Sequence, residues 1–403
     1  MINVVLFDDP ALRIQLLPFT FTRPVAGIRC GIRTLAEKWT DVLDTLPSYL
    51  TEPYLQNRFP LVTAEDNLYI NGSLCPDESV VSALKALPSE TALVSEQNEL
   101  LSIRTTSNWR PDSDITVSNV QQYTQPIVMI RQLWDIFGEN GAQIKADFKQ
   151  ITKGRTSAGV TDPFTRCYNP EAIFIEEGAS IKAAILNAEN GPIYIGKNAV
   201  ISEGSVVQGP FAMGEESVLN LGATIRPNTT LGPYCKVGGE VNNSVLFGYS
   251  NKAHSGYLGN SVLGEWCNLG ANTNNSNLKN DYTNVKLYSY AKGELVDTGR
   301  LFCGLFMGDY TKAGISTMFN TGTVVGVNVN IFGAGFQPKF IPSFTWGGQA
   351  EGFSTYRFEK AMAVDRETVI RREVPFGEAE ETLLWEVFER TQAVRMKQDI
   401  RSF

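Results

Sequence analysis

Apolar side chains recur at every sixth position from Ile195 to Val237, through Ile201, Val207, Met213, Leu219, Ile225 and Leu231. A second register runs through Leu301, Met307, Ala313, Phe319, Val325 and Ile331, with Leu263 and Leu269 between the two. A helix repeats every ~3.6 residues and a half-buried strand every two, so neither singles out the sixth residue. A hexad repeat is the signature of a β-solenoid, in which each hexad is a short strand and a turn. Of the 35 glycines, 27 fall between positions 171 and 353. That suits a region of turns, where glycine or asparagine tolerates positive φ. The repeat predicts a solenoid over 171–345. The register breaks over 276–299, in a stretch richer in Lys, Asn, Asp and Tyr. Loops extruded from a rigid frame are where ligand contacts are expected.

The flanking regions have other patterns. Residues 1–165 read as a mixed α/β domain, with strands at Val4–Phe7, Leu68–Ile70, Ala92–Val94 and Leu100–Ile103. Helices are expected over 31–39 and 129–137, the latter ending at Gly138–Gly141. Over 350–403 glycine nearly vanishes and charge rises, and Leu384, Val387, Phe388, Thr391 and Val394 form a helical stripe. This tail is expected to cap the solenoid or to pack on a neighbouring subunit.

Composition excludes several classes. The net charge of −8 disfavours a nucleic-acid partner. No apolar run approaches the ~18 residues of a membrane span. The first residues, Met1 to Asp9, lack a basic leader and read as a strand. Six scattered cysteines with no CxxC spacing suit reduced thiols of a cytoplasmic protein. A histidine-liganded metal site is not expected, because the chain has one histidine.

That histidine, His254, lies inside the repeat region, in Lys252-Ala253-His254-Ser255-Gly256-Tyr257-Leu258-Gly259. Imidazole is the side chain best suited to acid–base work near neutral pH. A half-buried histidine satisfied by a backbone carbonyl is the alternative reading. The stretch Ile195–Gly335 resembles the acyltransferase half of the bifunctional N-acetylglucosamine-1-phosphate uridylyltransferase/glucosamine-1-phosphate acetyltransferase family. The resemblance rests on Ile225-Arg226-Pro227-Asn228, on the His254 run, on Asn268-Leu269-Gly270-Ala271 and on Asn277, in order. It implies a left-handed parallel β-helix that forms a homotrimer with active sites at subunit contacts. By the same resemblance His254 is the catalytic base, and Arg226 and Tyr257 hold a sugar phosphate. Asn268 and Asn277 complete the substrate site. Acetyl-CoA is the implied cofactor, lying along late coils near Ala313–Gly335 and Lys339. The match departs from the family in three places. Asn242 or Asn243 stands for a lysine, Asp309 for a serine, and Leu278-Lys279-Asn280 for Tyr-Asp-Gly.

By domain order the front half resembles a sugar-1-phosphate nucleotidyltransferase. Such enzymes carry a Gly-rich loop after the first strand, whose amides cradle the triphosphate. Here that strand runs into Asp8-Asp9-Pro10-Ala11-Leu12-Arg13, and no glycine appears before Gly27. Arg13 and Arg23 are the candidate nucleotide-binding cations. The aspartate of the family's metal site is missing from Leu68-Tyr69-Ile70-Asn71-Gly72. Mg²⁺ is required only if this domain is active on UTP or another nucleoside triphosphate. The expected function is acetyl transfer to an amino-sugar phosphate, alone or combined with nucleotidyl transfer. Two readings stand beside it: a nucleotidyltransferase whose solenoid serves oligomerisation or regulation, and a non-catalytic ligand-binding or assembly protein.

Overall fold

The computed structural model describes residues 2–111 and 117–397. The chain forms two compact units, Met1–Ile28 with Arg33–Leu133, and Arg29–Ile32 with Trp134–Phe403.

The first unit is built on a six-stranded sheet. Its elements are β1 (Asn3–Phe7), α1 (Pro10–Gln15), α2 (Leu35–Leu43), β2 (Ser48–Leu50), β3 (Asn67–Asn71), α3 (Glu78–Ala86), β4 (Thr91–Ser95), β5 (Leu100–Thr105) and β6 (Asn119–Tyr123). The strand order is β2-β1-β3-β5-β4-β6. β1 runs parallel to β2 and β3, and β5 runs antiparallel to β3 and β4. Both faces of the sheet are buried, one around Leu6, Ile70 and Trp39, the other around Phe7, Tyr69 and Trp109. The helix expected over 31–39 starts later, at Leu35. Thr34 and Glu37 close a reciprocal capping box there, which fixes the helix start more firmly than the apolar pattern does.

In the second unit the hexads become the three faces of a parallel solenoid. Ile195 pairs with Met213 and Met213 with Leu231 on one face. Ile201, Leu219 and Val237 stack on the next, and Val207 and Ile225 on the last. Every sixth residue therefore points inward, and every eighteenth shares a face. These side chains form one continuous core from Ile173 to Ile341. Numbered in chain order, the first face, that of Val207 and Ile225, has six strands, from Arg166–Tyr168 to Tyr257–Gly259. The second has nine, from Ile173–Ile175 to Phe340–Ile341, one for each coil. The third begins at Ser180–Ile181 and closes with an antiparallel strand, Gly352–Thr355. Leu301, expected to open the second register, is instead 45% exposed. It lies at the end of an excursion that carries a hairpin, Lys286–Ser289 with Glu294–Asp297, and the repeat resumes at Met307.

The corner after the second face departs from the glycine and asparagine expected at turns. Left-handed backbone is taken there by Tyr234, Tyr249, Trp266 and Tyr310, with φ of 57°, 53°, 61° and 61°. That conformation costs a bulky residue ~1–2 kcal/mol. Here the four rings stack along the solenoid axis, with centroids 5.0, 4.2 and 6.3 Å apart. Stacking of this kind offsets the backbone cost.

The outer side of the second face is covered by the chain itself. Phe174, Ala212, Thr230, Phe247, Phe306 and Phe340 point outward from it, yet all are buried. Helix α4 (Leu133–Ile151) lies on this face. It does not stop at Gly138–Gly141 as expected, because its glycine side meets the solenoid. A Cβ on Gly141 would run into the Asn228 side chain. Next to it the Asn140 amide donates to Asn228 O and Thr230 Oγ1, and accepts from Gly31 N. Tertiary contact thus overrides a local stop signal. The hairpin covers the late coils, with Tyr288 stacked on Phe340 at 3.6 Å.

The tail forms α5 (Phe358–Ile370), α6 (Glu378–Arg390) and α7 (Gln392–Lys397), and its last residues lie outside the described ones. It packs on its own solenoid. Phe388 meets Phe344 edge-on at 5.1 Å, and Arg395 donates to Ser343 O. Asp365 is fully buried against the third face, 3.2 Å from the Lys312 ammonium. Burial pushes its carboxyl up to about 6, although Lys312 pulls the other way. A raised folded-state value gives stability that is present below the unfolded pKa of ~3.9 and is lost as pH rises through about 6. Wild type should therefore lose about 2 kcal/mol relative to Asp365→Asn between about pH 4 and pH 7. Denaturant unfolding of both proteins across that range checks this, and parallel pH profiles would contradict it.

Candidate functional site

His254 stands on the corner between the third and first faces. The strand Asn251–Lys252 enters this corner and Tyr257–Gly259 leaves it. Four contacts define the turn. Asn220 Nδ2 donates to Ala253 O at 2.7 Å, and Asn272 N to Ser255 O at 2.9 Å. Lys252 Nζ donates to His254 O at 2.9 Å and to Gly238 O at 2.8 Å. Gly256 has φ +124°, and a Cβ there would strike Thr273 O, so the turn needs glycine. The imidazole is exposed and, among the described residues, has no hydrogen-bond partner. It is not the carbonyl-satisfied, half-buried histidine of the alternative reading.

Tyr257 begins the next first-face strand, in register with Glu240, which in turn pairs with Thr224. Its ring lies back along its own strand, so that a Cβ on Gly259 would meet the phenol oxygen. Asn277 Nδ2 donates both to that phenol, at 2.9 Å, and to Asn260 Oδ1, at 2.7 Å. Tyr257 and Asn277, predicted separately, are thus in direct contact. Arg226 is exposed on the same face and pairs with Glu240 at 3.4 Å. An exposed pair of this kind holds its arginine weakly, at ~0–1 kcal/mol, which leaves the guanidinium able to exchange Glu240 for an anion. Two strand spacings of ~4.8 Å separate its strand from that of Tyr257. Asn268 lies on the third face, between Asn251 and Lys312. His254 therefore stands on the corner before the first face, Tyr257, Arg226 and Asn277 lie along that face and at its far end, and Asn268 lies on the third face. Lys339 lies away from that corner, its ammonium bonded to Lys286 O at 2.9 Å.

Sequence reasoning missed Asn260, Glu240 and the role of Lys252. The signal for Lys252 was present: it falls six residues after Leu246 and six before Leu258, so the repeat points it inward. Asn260 and Glu240 carry no comparable signal, since only the pairing of successive coils brings them to Asn277 and Arg226.

The front unit has its own crevice, a cavity of 670 Å³ where β1 and β3 end. Phe7, Asp9, Asn71, Glu99 and Trp109 line it, and among the described residues no lysine or arginine does. Asp9 caps α1, accepting from the amides of Ala11 and Leu12 at 2.8 and 3.1 Å. A phosphate would need those same amides. Asp8 is buried and takes Val25 N, Thr51 Oγ1 and Arg13, the last at 2.8 Å. Burial raises its carboxyl even with Arg13 beside it. Arg13 also donates to Thr20 O, Arg23 O and Tyr54 Oη. Arg23 is buried as well. Asn71 spends both amide atoms within the fold, on Leu100 O and on Ser73. These residues do not fit a Mg²⁺–triphosphate. The strand-end aspartate is an amide, and the adjacent carboxylates are engaged in the fold.

Residues 4–156 match the model of a family described as sugar nucleotidyl transferase. No curated protein matches the chain. Among solved structures, the polySia specific acetyltransferase NeuO aligns at 11% identity over 53% of this chain and 97% of its own, with a TM-score of 0.29. A mutant of AntD, an N-acyltransferase from Bacillus cereus in complex with dTDP-4-amino-4,6-dideoxyglucose and coenzyme A, aligns at 11% over 54% and 93%, with a TM-score of 0.22. PerB from Caulobacter crescentus, in complex with coenzyme A and GDP-perosamine, aligns at 9% over 87% and 97%, with a TM-score of 0.15.

Because Arg13 neutralises a buried carboxylate, Arg13→Met should destabilise the front unit by about 3–5 kcal/mol. The double variant with Asp8→Asn should recover part of that loss. Denaturant titration checks both, and a fully stable Arg13→Met would return Arg13 to the ligand-binding candidates.

Proposed function

We propose that the protein is a transferase whose solenoid carries out acetyl-CoA-dependent N-acetylation of an amino-sugar phosphate such as glucosamine 1-phosphate. The observation that carries this reading is the exposed imidazole of the chain's one histidine, on a braced corner next to the Tyr257–Asn277–Asn260 cluster. A thioester supplies an acyl carbon open to attack and a thiolate leaving group. His254 takes the proton of the amine as the N–C bond forms. As the C–S bond breaks, the imidazolium returns that proton to the departing thiolate. Arg226 and Tyr257 hold the phosphate, and Asn277 and Asn268 hold the sugar, so that the amine stays near the base.

The reading includes a homotrimer. The second face is covered by α4 and the hairpin, and the tail lies against Asn251 and Lys312 on the third, which leaves the first face, the early coils of the third and their shared corner for other copies. Leu221 and Ile315, 72% and 76% exposed, lie on that corner with His254. A closed ring of three would bury them and bring the third-face Asn268 of one copy towards the first face of the next. The free cysteines suit a reducing compartment such as the cytoplasm.

A second reading, sugar-1-phosphate nucleotidyl transfer with UTP or another nucleoside triphosphate, is favoured by the family match over residues 4–156. The acidic loop after β1 and the occupied Asn71 amide weigh against it.

Wild type should release free thiol from acetyl-CoA only when the amino-sugar phosphate is present. His254→Ala should lower that rate by about 10²–10⁴-fold and leave unfolding unchanged. Equal rates from the two folded proteins would exclude His254 as the base.

A further inference from the structure

The inward column of the third face contains one charged residue. Ile201, Leu219 and Val237 precede it and Leu269 and Ala313 follow; Lys252 sits between, in register with Val237. It is 2% exposed. Among the described residues no carboxylate pairs with it, and its ammonium is met by two backbone carbonyls, Gly238 O and His254 O. Such burial is costly for a cation, and here it brings the lysine down to about 8. A leucine or methionine at this place would fill the column at no such cost. Folding of the repeat therefore does not account for the lysine, whereas its bonding does. The ammonium ties the carbonyl of His254 to the preceding coil at Gly238. The side of Gly239 is left open for it, since a Cβ there would crowd Nζ.

We infer that Lys252 is a positioning residue: from inside the solenoid core it clamps the turn that presents His254. It touches neither sugar nor thioester and acts through the histidine backbone. The inference rests on the acyl-transfer reading only for its kinetic consequence.

The test compares full-length wild type with Lys252→Met by two measurements. The chain has one histidine, so its imidazole proton signals are assigned without ambiguity by nuclear magnetic resonance. Lys252→Met should fold with an unfolding temperature at least equal to that of wild type, and should shift and broaden those signals. Its kcat for thiol release with glucosamine 1-phosphate should fall at least about tenfold, with KM for the sugar phosphate unchanged. Lys252→Gln, which keeps a donor for one carbonyl, should lie between the two. A folded Lys252→Met with wild-type imidazole signals and kcat would overturn the inference. So would failure of both variants to fold, which would make the lysine a strut of the core. If wild type itself releases no thiol, the acyl-transfer reading fails, and the imidazole comparison still decides whether Lys252 holds the turn.

Discussion

The solenoid depends on one constraint: every sixth side chain must fill a narrow column inside three parallel faces. Apolar residues meet it by burying surface in continuous stacks, from Ile173 to Ile341. Parallel pairing of successive coils satisfies the backbone between them. Because each coil is fixed by the one before it, a surface residue is placed to within a strand spacing by its register alone. That rigidity lets residues distant in sequence, such as Tyr257 and Asn277, meet without a dedicated loop to hold them.

The features proposed to carry function are places where the chain breaks its own rule. Lys252 puts a charge in an apolar column. Asn275 takes another inward position and is satisfied by the amide and carbonyl of Gly259, the residue against which the Tyr257 phenol lies. The excursion after Asn277 interrupts the repeat at the same end of the first face. These three departures fall within two coils of His254. Lys252 holds the turn that bears the imidazole, and the other two lie at the far end of the strand that leaves it, at Gly259 and Asn260. The front unit shows the opposite trend. Its crevice stands at the strand ends where α/β sheets take ligands, yet the carboxylates and amides around it are engaged with one another. The corner that bears His254 is thus braced by the solenoid, and the half that matches a nucleotidyl transferase model has the amides at the start of α1 occupied by its own Asp9.

Much of this was legible in the residues. The hexads marked the solenoid because burial at every sixth position has no other regular explanation, and the motif around His254 marked the corner. What escaped had physical causes. Helix α4 runs through Gly138 and Gly141 because the solenoid, not local propensity, decides its length. The aromatic corner contradicts turn preferences because ring stacking compensates a strained backbone. Leu301 matched the period by spacing alone and has no column to fill. Asn268 shares the motif order of Tyr257 and Asn277, but period and order do not say which face a residue occupies relative to another. Only the three-face register separates it from them.

The central claim is a division of labour between the two units, and ligand binding tests it most directly. Coenzyme A and Mg²⁺–UTP would each be titrated calorimetrically into the same full-length protein. The account predicts saturable binding of coenzyme A and no binding of Mg²⁺–UTP. Saturable binding of Mg²⁺–UTP with none of coenzyme A would contradict it and move the chemistry to the front unit.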